Sequence, residues 1–465
     1  MSELPRFRST DLLLLLVVLA AAGGSRAWYL VICADSGRAP APLKVQDPGP
    51  RPDYPEGTRL WGHTQPTELD ALVNNLLEHR WYGSLAPLAD EEEKTAHQAP
   101  GYPWLVFLVA RWLEDPAWVV CWAQCVLGVL TAACYFFFAR RAFRSSLVGF
   151  LAGLLAAIHP FWIINTAELS DGVVVTFLLA AIFALGTRGS QEGGAITSLF
   201  FGLGLAGLAM MRATLLPFTL VAMLWYLLRC RALAKGWFGA LLAFLGFANG
   251  LAPWAVRNFQ VYAQPVPVSD STFWHLWVGN NPLASGGPLD EKTVRAALDS
   301  ERLEKLRSEP NQARRYGLLG NDVLDEVKRD PAGTLRRRLW AGLYFVFGQA
   351  WFKDNALSLP GEPDPSRPAL PPWLEQTYQG FLTGSLLGML LLGLIGWRWS
   401  YAWRRESRLA TLAVLWVPLP YLLGHAQLLS GPRLPLDGIF LCYGALVLAC
   451  LAGHRCRRLA EAPQT

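Results

Sequence analysis

Charged residues are scarce. Asp, Glu, Lys and Arg make up 17% of 465 residues, against 52% hydrophobic ones, and mean hydropathy is +0.26. An ordinary soluble domain carries more charge and does not gather its apolar residues into blocks. A zinc-ligand spacing, a P-loop and an RNA-binding motif are also missing. The net charge of +5 comes mostly from short loops between apolar blocks, so it says little about nucleic acid. The eight cysteines lie in or beside those blocks, and only Cys33 is near an outer face, so no disulfide framework is expected. Cys121 and Cys125, four apart, are expected to pack inside a span. Solenoid-type repeats are absent.

What the chain has instead is hydrophobic blocks, each near the roughly 20 residues a helix needs to cross a bilayer. They recur at 11–33, 116–138, 147–165, 171–187, 195–211, 214–229, 236–253, 377–397, 408–424 and 438–453. The pattern predicts an all-α polytopic membrane protein with about ten spans and amphipathic helices outside them. Many of the 20 tryptophans sit at block ends, as interfacial anchors do. The first block could be read as a signal peptide, since Leu12 to Ala22 follows Arg6 and Arg8. Hydrophobicity resumes past Arg26 with AWYLVIC, which favours a retained span. Basic loop residues, such as Arg140, Arg141 and Arg144 or Arg404, Arg405 and Arg408, fall on alternate sides of the spans. Positive-inside bias then places both termini in the cytoplasm and the polar regions 34–103 and 254–376 on the exoplasmic face. Three units are expected: 1–253 with the first exoplasmic loop, 254–376, and the C-terminal spans 377–465. Residues 339–352 are apolar but only about 14 long, a length that suits an interfacial or re-entrant helix.

The polar insert after the first block holds most of the information. It opens Pro-rich, then turns helical over Thr67–Arg80, where Leu69, Leu72, Val73, Leu76 and Leu77 form one apolar stripe. Pro66 suits the first turn, and Glu68 and Asp70 favour its positive end. Such a helix is expected to lie flat on the membrane. An acidic loop follows, then APGYP, then a short apolar helix from Trp104 to Leu113. In the second polar region, two or three charged helices are expected between Asp290 and Arg338.

Charges at membrane edges are costly and therefore functional candidates. Glu168 and Asp171 lie between the third and fourth blocks, Arg212 ends the fifth, Arg257 follows the seventh, and His425 and Arg433 flank the last exoplasmic turn. Each has a plainer explanation. Arg212 and Arg257 could snorkel, Asp171 could cap a helix, His425 could be an interfacial residue, and Glu68 and Asp70 could only complement a dipole. A carboxylate can act as a general base, and arginines pair with phosphate. Together the groups point to transfer from a lipid-linked phosphate.

The ordered set LVNNLLEHRWY, APGYP, LSD at 169–171, MRATLLP, PWAVRNF with VGNNP, and HAQLLSGPRLPL resembles the polytopic glycosyltransferases that use polyprenyl-phosphate sugars. That family includes the dolichyl-phosphate-mannose protein mannosyltransferases and the lipid A aminoarabinose transferases. The resemblance implies the GT-C fold and transfer of a sugar from a polyprenyl-phosphate donor to a lipid, glycan or protein acceptor in the cytoplasmic membrane. It implies a base among Asp171, Glu68 and Asp70. It implies donor phosphate contacts from Arg212, Arg257 and Arg433, and substrate contacts from Gln65, Tyr102, Glu168 and His425. Gln65 stands where the family keeps an acid. No cofactor is implied, and a divalent metal stays open because family members differ. A catalytically impaired relative that binds lipid-linked sugar or assists a partner is the alternative. A transporter ranks third, since span interiors are mostly Leu, Ala, Gly and Phe and offer no polar path.

Overall fold

The computed structural model describes residues 7–35, 68–79, 81–85, 87–89, 92–113, 116–230, 236–287, 289, 291–351, 372–425 and 432–453. Among the described residues, nineteen α-helices run from α1 (Ser9–Asp35) to α19 (Leu434–Leu451), and the only sheet is a pair of two-residue strands, Gly83–Ser84 and Glu93–Lys94. The chain is a polytopic helical membrane protein. Among the described residues, seven helices are long and apolar enough to cross a membrane, and eight if one bent pair counts as a span, rather than the ten expected. Two expected spans form shorter apolar helices, Ala195–Met211 and Ser407–Leu423. The first, α8, stops because Arg212 leaves it with φ −146° and ψ 105°. The second is broken between α17 (Arg404–Trp416) and α18 (Leu419–Leu423) beside Pro418 and Pro420.

The bent pair is α5 (Ser146–Ala157) with α6 (Pro160–Ile164), turned by 50°. Pro160 has no N–H and forces the preceding His159 out of helical geometry, to ψ 117°. The orphaned carbonyls at the end of α5 are met from α1. Arg26 donates Nη1 to Ala157 O at 2.9 Å and Nη2 to Ala156 O at 3.3 Å, and Ser25 Oγ donates to Ala157 O at 3.0 Å. Arg26 is 1% exposed, and it answers the cost of a charge in the first block with the helix end it caps. The break is also held from α19: His159 Nε2 lies 2.9 Å from Asp437 Oδ2, and Arg433 donates to Asp437 Oδ1 at 2.8 Å.

Two expectations change in the insert and beyond it. The apolar stripe of α2 (Glu68–Glu78) is covered by protein, not by the membrane surface. Leu69, Leu72, Val73 and Leu76 belong to the main core with Tyr82 and Tyr102. Periodicity identifies the face but cannot say what covers it. The seventh block does not end at Pro253 either, because α10 (Gly236–Tyr262) runs through it. Its last turns are stitched to the following loop, with Trp254 Nε1 donating to Val268 O at 2.7 Å and Asn258 Nδ2 to Val266 O at 3.0 Å. That outweighs one missing backbone bond.

The second polar region folds as expected into charged helices, α12 (Glu291–Ala296), α13 (Ser300–Arg307) and α14 (Gln312–Arg329). With α11 (Thr272–Asn280) they form a second core around Trp274, Trp277, Tyr316 and Leu319, which Leu88 of the insert completes. Described parts of the two polar regions therefore share one core. α15 (Pro331–Trp351) covers the apolar segment 339–351 and is not among the helices that pass as spans.

Candidate active site

The turn at 165–171 is built rigidly. Thr166 and Asn165 fold back onto Trp162 O and Phe161 O at 3.0 Å each, as short polar side chains do at a helix end. Gln124 of α4 (Pro116–Phe143) then clamps the turn, donating Nε2 to Thr166 O at 3.1 Å and to Glu168 O at 2.8 Å. Its other end accepts from the Tyr102 hydroxyl at 3.2 Å. One amide thus joins the insert's return helix, α3 (Gly101–Ala110), to the turn.

Asp171 sits at the N-cap position of α7 (Gly172–Glu192), yet its side chain makes no capping bond. The carboxylate turns to Arg212. Nε donates to Oδ2 at 2.8 Å, and Nη2 closes a second bond to Oδ1. A planar guanidinium and a carboxylate match in this two-point geometry. Neither side chain is sealed off, at 22% and 15% exposed. Tyr421 of α18 lies near the same place: its hydroxyl is 2.9 Å from Oγ1 of Thr214, two residues after Arg212.

Glu168, three residues before Asp171, is 5% exposed, and its Oε2 has no partner among the described residues. Burial pushes its carboxyl up to about 8. In the insert, Glu68 accepts from Ser84 Oγ at 3.3 Å, and Asp70 is buried on α2. Gln65 lies outside the described residues.

The three arginines divide. Only Arg212 meets Asp171. Arg257 donates to Tyr82 O at 2.8 Å, Thr95 O at 3.0 Å and Asn258 Oδ1 at 3.0 Å, with its guanidinium 4.8 Å from the Trp254 ring centre. It holds the insert against α10. Arg433 is engaged by Asp437 and lies 5.0 Å from the Phe161 ring centre. His425 pairs with His275 of α11 at 3.0 Å between Nε2 and Nδ1. Burial, reinforced by neighbouring positive charge, drives both down to about 3, so both rings are neutral and one donates to the other. Among the described residues, no three His, Cys, Asp or Glu side chains are grouped to hold a metal ion.

Gln124, Thr214 and Tyr421 were not singled out by sequence reasoning. A lone amide inside an apolar block is a signal for Gln124. Tyr421 gives no such signal, because it is one of 13 tyrosines and its partner is 207 positions away.

The model of the dolichyl-phosphate-mannose-protein mannosyltransferase family matches residues 97–255, a segment that carries Tyr102, Gln124, Glu168, Asp171, Arg212 and Thr214. No curated protein matches the chain by sequence. Among solved structures, the Archaeoglobus fulgidus oligosaccharyltransferase tethered to an acceptor peptide superposes with a TM-score of 0.51 at 13% identity, over 98% of this chain and 51% of that one. The A. fulgidus oligosaccharyltransferase AglB with an inhibitory peptide and a dolichol-phosphate gives 0.50 at 13% identity, over 98% and 52%. ArnT from Cupriavidus metallidurans bound to undecaprenyl phosphate gives 0.32 at 13% identity, over 96% and 77%. The chain spans about half the length of the archaeal enzymes it matches. The resemblance stands on sequence over residues 97–255 and on likeness of fold to the archaeal oligosaccharyltransferase over nearly the whole chain.

Proposed function

We propose that this chain is a membrane glycosyltransferase that moves a sugar from a polyprenyl-phosphate-linked donor to an acceptor at the exoplasmic face of the cytoplasmic membrane. The observation that carries the reading is the Asp171–Arg212 pair, placed in the family-matching segment and joined through Gln124 to the return helix of the insert. The dolichol-phosphate in the similar archaeal structure supports a lipid-linked donor. In this reading an acceptor hydroxyl attacks the anomeric carbon, the bond from that carbon to the phosphate oxygen breaks, and the configuration inverts. Asp171, or Glu68 or Asp70 from the insert, takes the hydroxyl proton, and Arg212 stabilises the departing lipid phosphate. The resemblance assigns substrate contacts to Gln65, Tyr102, Glu168 and His425 and further donor phosphate contacts to Arg257 and Arg433, of which Arg257 also holds the insert and Arg433 also pairs with Asp437. In this reading the module 1–253 supplies the reacting groups and 377–465 contributes Tyr421.

Gln65, at the position where the family keeps an acid, favours a second reading: a relative that binds lipid-linked sugar without turning it over. Purified protein in vesicles, given a panel of polyprenyl-phosphate sugars and acceptors, separates the two. Transfer by the wild type, reduced in Asp171→Asn or Glu68→Gln, is expected. Unchanged turnover in both variants would remove the base assignment. Transfer that appears only in Gln65→Asp would make the wild type a binder.

A further inference from the structure

Tyr421 and Thr214 form a hydrogen-bonded pair whose direction can be worked out. Each hydroxyl carries one hydrogen and can also accept. Two hydroxyl hydrogens, those of Tyr421 and Thr214, then share a single contact of 2.9 Å. One of them fills it, and the other has no acceptor among the described residues. Threonines elsewhere in the chain solve this locally: Thr131 donates to Leu127 O and Thr176 to Gly172 O, both at 2.7 Å, and Thr219 to Leu216 O at 2.8 Å. Thr214 makes no such bond, because the chain leaves α8 extended at Arg212 before the short turn Ala213–Leu215. Tyr421 is 6% exposed and its ring is set against Phe345, with centroids 5.5 Å apart, whereas Thr214 is half-buried. The hydrogen that faces outward is therefore that of Thr214.

We propose that Thr214 donates this hydrogen to a phosphoryl oxygen of the ligand bound at Arg212, with Tyr421 as the positioning residue that turns it outward. The proposal rests on the lipid-phosphate reading above. Asp171 already takes two N–H groups of Arg212 and offsets its charge, so a neutral donor beside the pair adds directed binding that the guanidinium alone does not supply. The ligand class is a phosphate ester, and its phosphoryl group rather than its chain is what Thr214 recognises.

The test is binding of polyprenyl phosphate to the full chain in nanodiscs, followed by intrinsic tryptophan fluorescence, with polyprenol and inorganic phosphate as competitors. Thr214→Val keeps the shape and removes the donor, and is expected to weaken polyprenyl phosphate binding about tenfold. Thr214→Ser restores the hydroxyl and should stay within about twofold of wild type. Tyr421→Phe should weaken binding in the Thr214 protein and change nothing further in Thr214→Val. In turnover, donor KM should rise while kcat moves less, a split that a loss of folding would not produce. Competition by inorganic phosphate that depends on Thr214 supports the phosphoryl contact. Equal loss of polyprenol binding in Thr214→Val overturns it, as does failure of Thr214→Ser to rescue. Wild-type binding that survives Thr214→Val overturns this proposal alone. A wild type that binds no polyprenyl phosphate overturns the functional reading and this proposal with it.

Discussion

Replacing Arg26 with methionine tests why an arginine sits in the first hydrophobic block. In a continuous helix the carbonyl of Ala156 would accept from the amide of residue 160, and Pro160 has none. Arg26 Nη2 takes that place at 3.3 Å, while Nη1 serves Ala157 O at 2.9 Å and Ala22 O at 3.1 Å. Methionine fills similar space and donates nothing. Ala157 O keeps Ser25 Oγ at 3.0 Å, and Ala22 lies inside α1, so Ala156 O is the group left stranded. A lost charge-assisted bond and a stranded buried carbonyl together come to about 3–4 kcal/mol. Relief from burying a guanidinium offsets part, leaving a net loss of about 2 kcal/mol. Pro160→Ala restores the missing amide and lets α5 run on. In that background Arg26→Met should cost less than about 1 kcal/mol. The assay is unfolding in mixed micelles with increasing dodecyl sulfate, run on the four proteins of the cycle. Equal costs in both backgrounds would refute the claim that Arg26 acts on the broken helix. Gly128→Ala is an independent check, because a Cβ there would run into the Arg26 side chain, and it should behave like Arg26→Met.

Other outcomes follow from the same contacts. Gln124→Leu should cut transfer on the order of tenfold with little loss of stability, since it frees the 165–171 turn from Tyr102, and Tyr102→Phe should do less. A Gln124→Leu enzyme with wild-type turnover would remove the clamp from the mechanism. Asp270, in the loop after α10, has both carboxylate oxygens buried with no hydrogen bond among the described residues, and burial first of all pushes it from 3.8 to about 7. The folded state then holds a proton that the unfolded state has released, so stability falls as pH rises from about 4 to about 7. Asp270→Asn should flatten that fall and stabilise the protein at pH 8 by roughly 2–4 kcal/mol. His275 and His425 slope the other way below their ordinary 6.5, so the quantity to compare is the difference between variant and wild type at each pH. Arg257→Gln should loosen residues 82–97 of the insert, seen as faster amide exchange there with the α8–α10 packing unchanged.

Much of the fold was readable because its elements obey local rules. The blocks became helices, the charged run at 290–338 became helices, and APGYP led into a short apolar helix. Where the reading changed, a long-range partner decided. The α2 stripe needed knowledge of Tyr82 and Tyr102 to show that protein covers it. Pro253 looked like an end because the bonds from Trp254 and Asn258 to Val268 and Val266 cannot be seen along the chain. At the site, the sequence picked out Asp171 and Arg212 as separate charges, 41 positions apart, but not their pairing. Tyr421 was hidden, since its role depends on a neighbour from the other end of the chain.

The arginines make the general point about charge in an apolar chain. Sequence position alone assigns Arg212, Arg257 and Arg433 one role, because each stands at the end of a hydrophobic block. Their acceptors separate them. Arg257 faces backbone carbonyls of the insert, which are fixed dipoles that no ligand can displace without unfolding the loop. Arg433 faces Asp437, itself shared with His159, in a buried network that closes the broken span. Arg212 faces a carboxylate that is partly open, beside a threonine with a hydrogen still to place. Of the three, only Arg212 pairs with a carboxylate that is partly exposed. On the proposed reading, that partly open partner makes Arg212 the arginine best placed to meet the donor phosphate.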